Sequence, residues 1–281
     1  MNTDECVLYF GNAQEAFDAA RQNPRSVAKR SEDGVGFIVT LKKPPALPGT
    51  MVGSKNYTNS QDMLKSFICL GKSVREGGLC IGGKEYSEGV VGPWFRPVGR
   101  KQNAISQDSF TFNVGDIVTC SVDSHTPVPP QSENYRLSTA ASWAFVGKFP
   151  LQNISGLLDS PQTLWENGFD CSTKNGVNDR IPESIACTQK NSLYFICITN
   201  ASIVKKDESF EDIQRIKLRL TFQYNGSDYC LRITDPNFEK LYWNKLEVGE
   251  SKVIEKCYIT VSLALPYNGH CYKVIAGYVP A

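Results

Sequence analysis

Trp94 and Arg96 stand two residues apart in the run Gly92-Pro-Trp-Phe-Arg-Pro97. In an extended chain that spacing sends both side chains to one face and Phe95 to the other. An indole plane beside a guanidinium plane suits stacking on a base and pairing with a phosphate. Upstream, the segment Gly71-Lys-Ser-Val-Arg75 adds two cations, and Arg180 and Lys273 extend the set. Lys72, Arg75 and Arg96 are therefore candidates for phosphate contacts and Trp94 for a base, with Arg180 and Lys273 prolonging the track. Gln131, Glu133, Asn134, Asn178 and Asp179 are candidate supporting groups. Five glycines (71, 77, 78, 82, 83) permit tight turns or close approach to a ligand. A second reading stays open. Trp94 is then core, and Arg96 and Arg180 are buried in salt bridges with Glu133 and Asp179.

Catalysis asks for a nucleophile and base in reach, or for gathered metal ligands. The two histidines, His125 and His270, are far apart, and none of the ten cysteines forms a Cys-x-x-Cys pair. Cys80 with Glu133 lacks a supporting histidine. No enzyme, cofactor or metal site is expected. Net charge is +1, so a polyanion must be met by a local patch. Residues 65–101 carry such a patch, with seven basic side chains against three acids, whereas 102–150 carry two against four. There is no run of eighteen apolar residues to span a membrane. The start, Met-Asn-Thr-Asp-Glu-Cys, lacks the basic and apolar segments of a secretory signal. A cytoplasmic protein with reduced, mostly buried thiols is the expectation.

The elements that must hold these residues are mostly short strands. Residues 1–62 predict an N-terminal α/β appendage and linker: a strand at 6–10, a helix opened by Asn12 with Glu15, a strand at 35–41, then a Pro-rich stretch. From residue 63 to 150, strands near 66–70, 79–86, 92–98, 114–122 and 143–149 predict a small antiparallel barrel. Within it, Gln131-Ser-Glu133-Asn134-Tyr either lines a site or closes the barrel. Residues 151–190 form a connector, with Asp159-Ser160-Pro161 predicting a short helix to Trp165. Residues 191–281 hold a second series at 192–200, 215–224, 228–234, 257–265 and 271–279. Asn225-Gly226 and Asn268-Gly269 mark hairpins, because Asn-Gly accepts the positive dihedrals of a type I′ turn.

The run Cys69-Leu-Gly-Lys-Ser-Val-Arg-Glu-Gly-Gly-Leu-Cys80-Ile-Gly-Gly, followed by Trp94-Phe-Arg96-Pro97, resembles the opening of the dual OB-containing domain family. Further pieces follow in the same order: Val114-Gly-Asp-Ile-Val, Gln131-Ser-Glu133-Asn134, Gly176-Val-Asn178-Asp179-Arg180, Leu231-Arg-Ile-Thr-Asp235-Pro, Val261-Ser-Leu263 and Cys271-Tyr-Lys273. The resemblance spans about residues 65–280, with Gly82 and Phe95 standing where alanine and isoleucine are expected. It implies a mainly β protein of two OB-like barrels and a place in prokaryotic conflict or anti-phage systems. The implied partners are nucleic acid, single strands favoured, and a protein encoded in the same operon. A non-catalytic nucleic-acid-binding subunit and a protein-interaction scaffold within a defence complex are the two functions it leaves in contention.

Overall fold

A computed structural model describes residues 5–10, 27–30 and 37–42 by their backbone, and residues 62–75, 77–100, 104–139, 142–209 and 213–281. The chain divides into two units, residues 1–58 and 59–281. The first contains β1 (Glu5–Phe10), β2 (Val27–Arg30) and β3 (Phe37–Lys42) in an antiparallel sheet of order β1-β3-β2. The strands predicted at 6–10 and 35–41 are present as β1 and β3. The helix predicted after Asn12 and most of the Pro-rich stretch lie outside the described residues.

The second unit is mainly β. One six-stranded sheet uses β4 (Met63–Arg75), β5 (Gly78–Ser87), β6 (Val90–Val98), β7 (Asp116–His125), β8 (Asn134–Leu137) and β9 (Trp143–Lys148). Its order is β4-β5-β6-β8-β7-β9, closed by β4 on β7. The other uses β10 (Arg180–Pro182), β11 (Leu193–Asp207), β12 (Ile216–Tyr224), β13 (Ser227–Ile233), β14 (Ser251–Leu263) and β15 (His270–Pro280). Its order is β10-β15-β13-β12-β11-β14, closed by β15 on β14.

Without the flanking β9 and β10, the two rings are topologically identical. The first strand pairs with the second, the second with the third, the third with the fifth, the fifth with the fourth, and the fourth with the first. Every pairing is antiparallel except third with fifth, β6–β8 and β13–β15. In both rings an arginine of the third strand enters the parallel pair: Arg96 opposite Asn134, and Arg232 opposite Val274. These are two five-stranded Greek-key barrels of OB type. β8 is absent from the predicted strands because it is four residues of polar character, and its Gln131–Asn134 lead-in closes the barrel.

Both Asn-Gly hairpins form, with Asn225 and Asn268 at φ 46° and 49°. The helix predicted from Asp159-Ser160-Pro161 does not. A 3-10 helix occupies Leu151–Leu157 instead, and the Asp159 carboxylate bonds to the barrels rather than capping a turn. The same signature works at Asp235-Pro236. There Asp235 accepts from Asn237 N (2.9 Å) and Phe238 N (3.2 Å), starting the helix Pro236–Trp243. That helix buries Phe238 and Tyr242 and stacks Phe238 on Tyr278 at 4.0 Å.

Phe67, Phe95, Phe110, Val118 and Cys120 fill the first barrel, and Leu218, Leu220, Tyr229, Leu231 and Ile259 the second. A third cluster joins them: Ile68, Leu70, Ile117 and Phe149 of the first meet Phe195 and Val279 of the second. Full burial of such side chains contributes about 1.5–3 kcal/mol each, so the barrels form one body. Gly277 permits that contact, because a Cβ there would collide with the Leu70 carbonyl oxygen. Val74 N donates to Thr234 O (3.0 Å) across the same seam. The nine described cysteines are all unpaired, and five are buried.

Candidate functional site

Strand alternation holds in β6: Phe95 enters the barrel core, and Trp94 and Arg96 share the opposite face. That face meets the second barrel. Arg96 is 3% exposed; its Nε donates to Glu133 Oε1 (3.2 Å), and Nη2 to Ser192 Oγ (2.8 Å) and Ser262 Oγ (3.4 Å). Ser192 in turn donates to the same Glu133 carboxylate. Trp94 Nε1 donates to Asp159 Oδ2 (3.0 Å), while Lys84 pairs with Oδ1 (2.7 Å) and lies 5.4 Å from the indole centroid. Phe195 N donates to the same carboxylate (2.8 Å). Gln131 reaches Leu263 O (3.4 Å), and Glu133 and Asn134 are buried beside it. These residues join the barrels. Arg96 is therefore corrected from a phosphate contact to a buried ion pair, and Trp94 from a free stacking plane to a half-buried, hydrogen-bonded ring. The glycine-rich run serves packing as well, since a Cβ on Gly83 would collide with the Ile68 carbonyl oxygen.

The remaining predicted residues scatter. Lys72 donates to Phe112 O (2.9 Å) and sits over the Phe110 ring. Arg75 is half-buried at the end of β4. Lys273 is 1% exposed, on the strand face it shares with the core residues Cys271 and Ile275, and bonds to Glu166 O and Asn167 Oδ1 (both 2.8 Å). Burial depresses its ammonium to about 7, with Asp179 opposing, and the residue contributes to the lining of the groove described next. Asn178 is a turn residue at φ 48°, bonded to Gly168 N (3.0 Å) and Asp228 O (2.9 Å). Asp179 does bind an arginine, but Arg219 rather than Arg180 (3.1 Å). A Cβ on Gly176 would overlap the Asp179 carboxylate, which accounts for a glycine there. Arg180 donates by Nε to Asp170 O (2.7 Å) and stands opposite Tyr272 in the β10–β15 register.

The second barrel carries what the first does not. On the outer face of β12, β13 and β15 lies an open cavity of about 510 Å³, lined by Arg215, Lys217, Arg219, Arg232, Tyr267 and Tyr272 among others. Alternation builds it: Leu218, Leu220, Leu231 and Ile233 point to the core, so Lys217, Arg219 and Arg232 point out. Arg219 lies directly opposite Arg232, and like charges so placed are unfavourable unless countered. Arg219 is countered, bonding to Asp179 Oδ2 and to Glu208. Burial works against its charge, but Glu208 and then Asp179 outweigh it and its pKa is raised.

Among the described residues, no carboxylate forms an ion pair with Arg215, Lys217 or Arg232. Lys217 is pushed below its ordinary range by burial and then by Arg232 and Arg215, with Glu239 and Glu208 opposing. The packed surroundings likewise lower Arg232, with Glu239 and Glu208 opposing and Arg219 and Arg215 adding to the effect. With Asp179 and Glu208 both bonded to Arg219, the remaining cations of the groove outnumber the carboxylates free to pair with them, which favours an anionic ligand. The sequence signal for this face was the alternation Arg215-Ile-Lys-Leu-Arg219-Leu, cations on one side and aliphatics on the other. Among the described residues no group of His, Cys, Asp or Glu gathers to hold a metal, and no helix is long and apolar enough to cross a membrane.

Residues 65–278 match the model of the family described as the dual OB-containing domain. No curated protein matches the sequence. Among solved structures, a chain reported under "Structural mimicry for functional antagonism" is 10% identical with TM-score 0.28, covering 76% of this chain and 90% of that one. A mouse chain, reported under "Structure of murine DNA binding protein bound with ds DNA", is 9% identical with TM-score 0.27, covering 79% and 100%. Both superpositions are too loose to bear on function.

Proposed function

The chain belongs to the dual OB-containing domain family, and from that premise we propose that it binds nucleic acid, single strands in preference, without catalysing a reaction. The binding face is the outer surface of β12, β13 and β15, not the Trp94/Arg96 face. One observation carries this reading: Arg215, Lys217 and Arg232 line an open groove and form no ion pair among the described residues, the groove's carboxylates Asp179 and Glu208 being held by Arg219. OB barrels take oligonucleotides on the second and third strands and the loops joining strands one to two and four to five. Here those are β12, β13 and the connections bearing Arg215 and Tyr267. The protein then acts in the cytoplasm, as one component of a prokaryotic defence system alongside a protein from the same operon.

The scaffold reading draws on a different observation, the burial of Arg96 against Glu133. In the first barrel the equivalent face is covered by the second barrel, so the first is a structural platform under either reading. Titration of fluorescent oligonucleotides across salt concentrations separates the two. With three to four phosphate contacts, the log–log slope on single strands is expected near −2 to −3. Lys217→Ala should weaken binding across sequences and flatten that slope by about 0.7. No binding at low salt would leave the scaffold standing.

A further inference from the structure

We infer that Tyr267, buttressed by Tyr272, is a stacking platform for one unpaired base, and that it sets the preference of the groove for single strands. This rests on the nucleic-acid reading and specifies its ligand. Tyr267 is 67% exposed, at the mouth of the groove that Arg215, Lys217 and Arg232 line. Its ring centroid lies 6.4 Å from that of Tyr272, tilted 52°, so Tyr272 supports it from one side while most of its surface meets solvent.

The turn that carries the ring is closed by backbone hydrogen bonds. Tyr267 N donates to His270 O (2.8 Å) and His270 N returns to Tyr267 O (3.2 Å), closing a two-residue turn over Asn268 and Gly269 at φ 49° and 73°. Holding an aromatic ring on a closed turn lowers the ordering cost of binding, since tyrosine has only two side-chain torsions to fix. An exposed aromatic beside unmatched cations joins a surface for a base to a surface for its phosphates. Arg180 stands opposite Tyr272 on β10, and Lys217 and Arg232 line the same groove as the two rings. In a duplex the faces of the bases are stacked on one another and cannot reach the ring.

The test uses the full chain with three ligands: a single-stranded oligonucleotide, the same strand with abasic sites, and a duplex. Tyr267→Ala is expected to weaken single-strand binding roughly 5- to 150-fold. It should leave the salt slope and the melting temperature unchanged, because the ring neither contacts phosphate nor fills the core. Tyr267→Phe should bind as wild type. The abasic strand should bind wild type about as weakly as the intact strand binds Tyr267→Ala, and duplex binding should be indifferent to the change. Unchanged single-strand affinity in Tyr267→Ala, with Lys217→Ala still weakening binding and flattening the slope, overturns the platform and leaves the basic groove intact. Absence of all binding overturns both.

Discussion

Replacing Arg96 by Ala tests whether this residue joins the barrels or meets a ligand. The side chain is 3% exposed and donates to Glu133 at 3.2 Å, Ser192 at 2.8 Å and Ser262 at 3.4 Å. Its loss leaves a buried carboxylate with only hydroxyl donors. Removing one partner of a buried ion pair costs about 3–5 kcal/mol, most of it the uncompensated charge. A domain's whole stability is about 5–15 kcal/mol, so Arg96→Ala should lower the urea midpoint sharply. Removing both charges should recover much of the loss, because replacing a buried pair by apolar groups of similar volume is often close to neutral. Arg96→Met with Glu133→Met is thus expected to be more stable than Arg96→Ala, and to bind oligonucleotides as wild type does, since the groove is on another face. Urea unfolding and binding titrations on both variants give the answer. An Arg96→Ala protein within about 1 kcal/mol of wild type that has lost oligonucleotide binding would refute the structural role.

Lys273 and the buried thiols should shape stability against pH. The folded-state ammonium is depressed to about 7 from 10.5 by burial, so between those values the unfolded chain holds more protons and stability rises with pH, by at most about 1.4 kcal/mol per unit. Above about pH 8.5 the sign reverses, since four thiols each about a quarter ionised in the unfolded chain offset the one lysine. Cys69, Cys120, Cys257 and Cys271 are pushed up to about 12 by burial, and the folded chain then keeps protons that the unfolded chain releases. Denaturation across pH 6–10 should show a maximum near about 8.5, and Lys273→Met should flatten the rise from 7 to about 8.5; an unchanged rise counts against the burial of this charge. Of the nine described cysteines, Cys187 alone is exposed. It should react first with an aromatic disulfide reagent under native conditions, with Cys69, Cys120, Cys257 and Cys271 reacting only on unfolding. Rapid native labelling of any of those four would contradict the packing.

The sequence alone determined what local physics controls. Period-two alternation put Trp94 and Arg96 on one face of a strand and Phe95 on the other, the packing then making Phe95 the inward one, and Asn-Gly at 225 and 268 set two hairpins through their positive dihedrals. The doubled strand series announced two barrels because each strand carries its own apolar face. Helix initiation was less legible. Asp159-Ser160-Pro161 and Asp235-Pro236 present the same capping chemistry, yet only the second starts a helix, because the Asp159 carboxylate is taken by Lys84, Trp94 and Phe195. What lies opposite an outward face is decided by tertiary packing. Arg96 and Arg232 occupy equivalent places in two identical topologies, each entering the parallel pair of its barrel. The first arginine meets Glu133 of its own barrel and is covered by the second barrel, which adds Ser192 and Ser262, while the second arginine is left beside Lys217 at an open groove. Alternation sets the side from which a charge emerges, but whether that charge meets a carboxylate or water depends on contacts made 37 to 166 residues away along the chain.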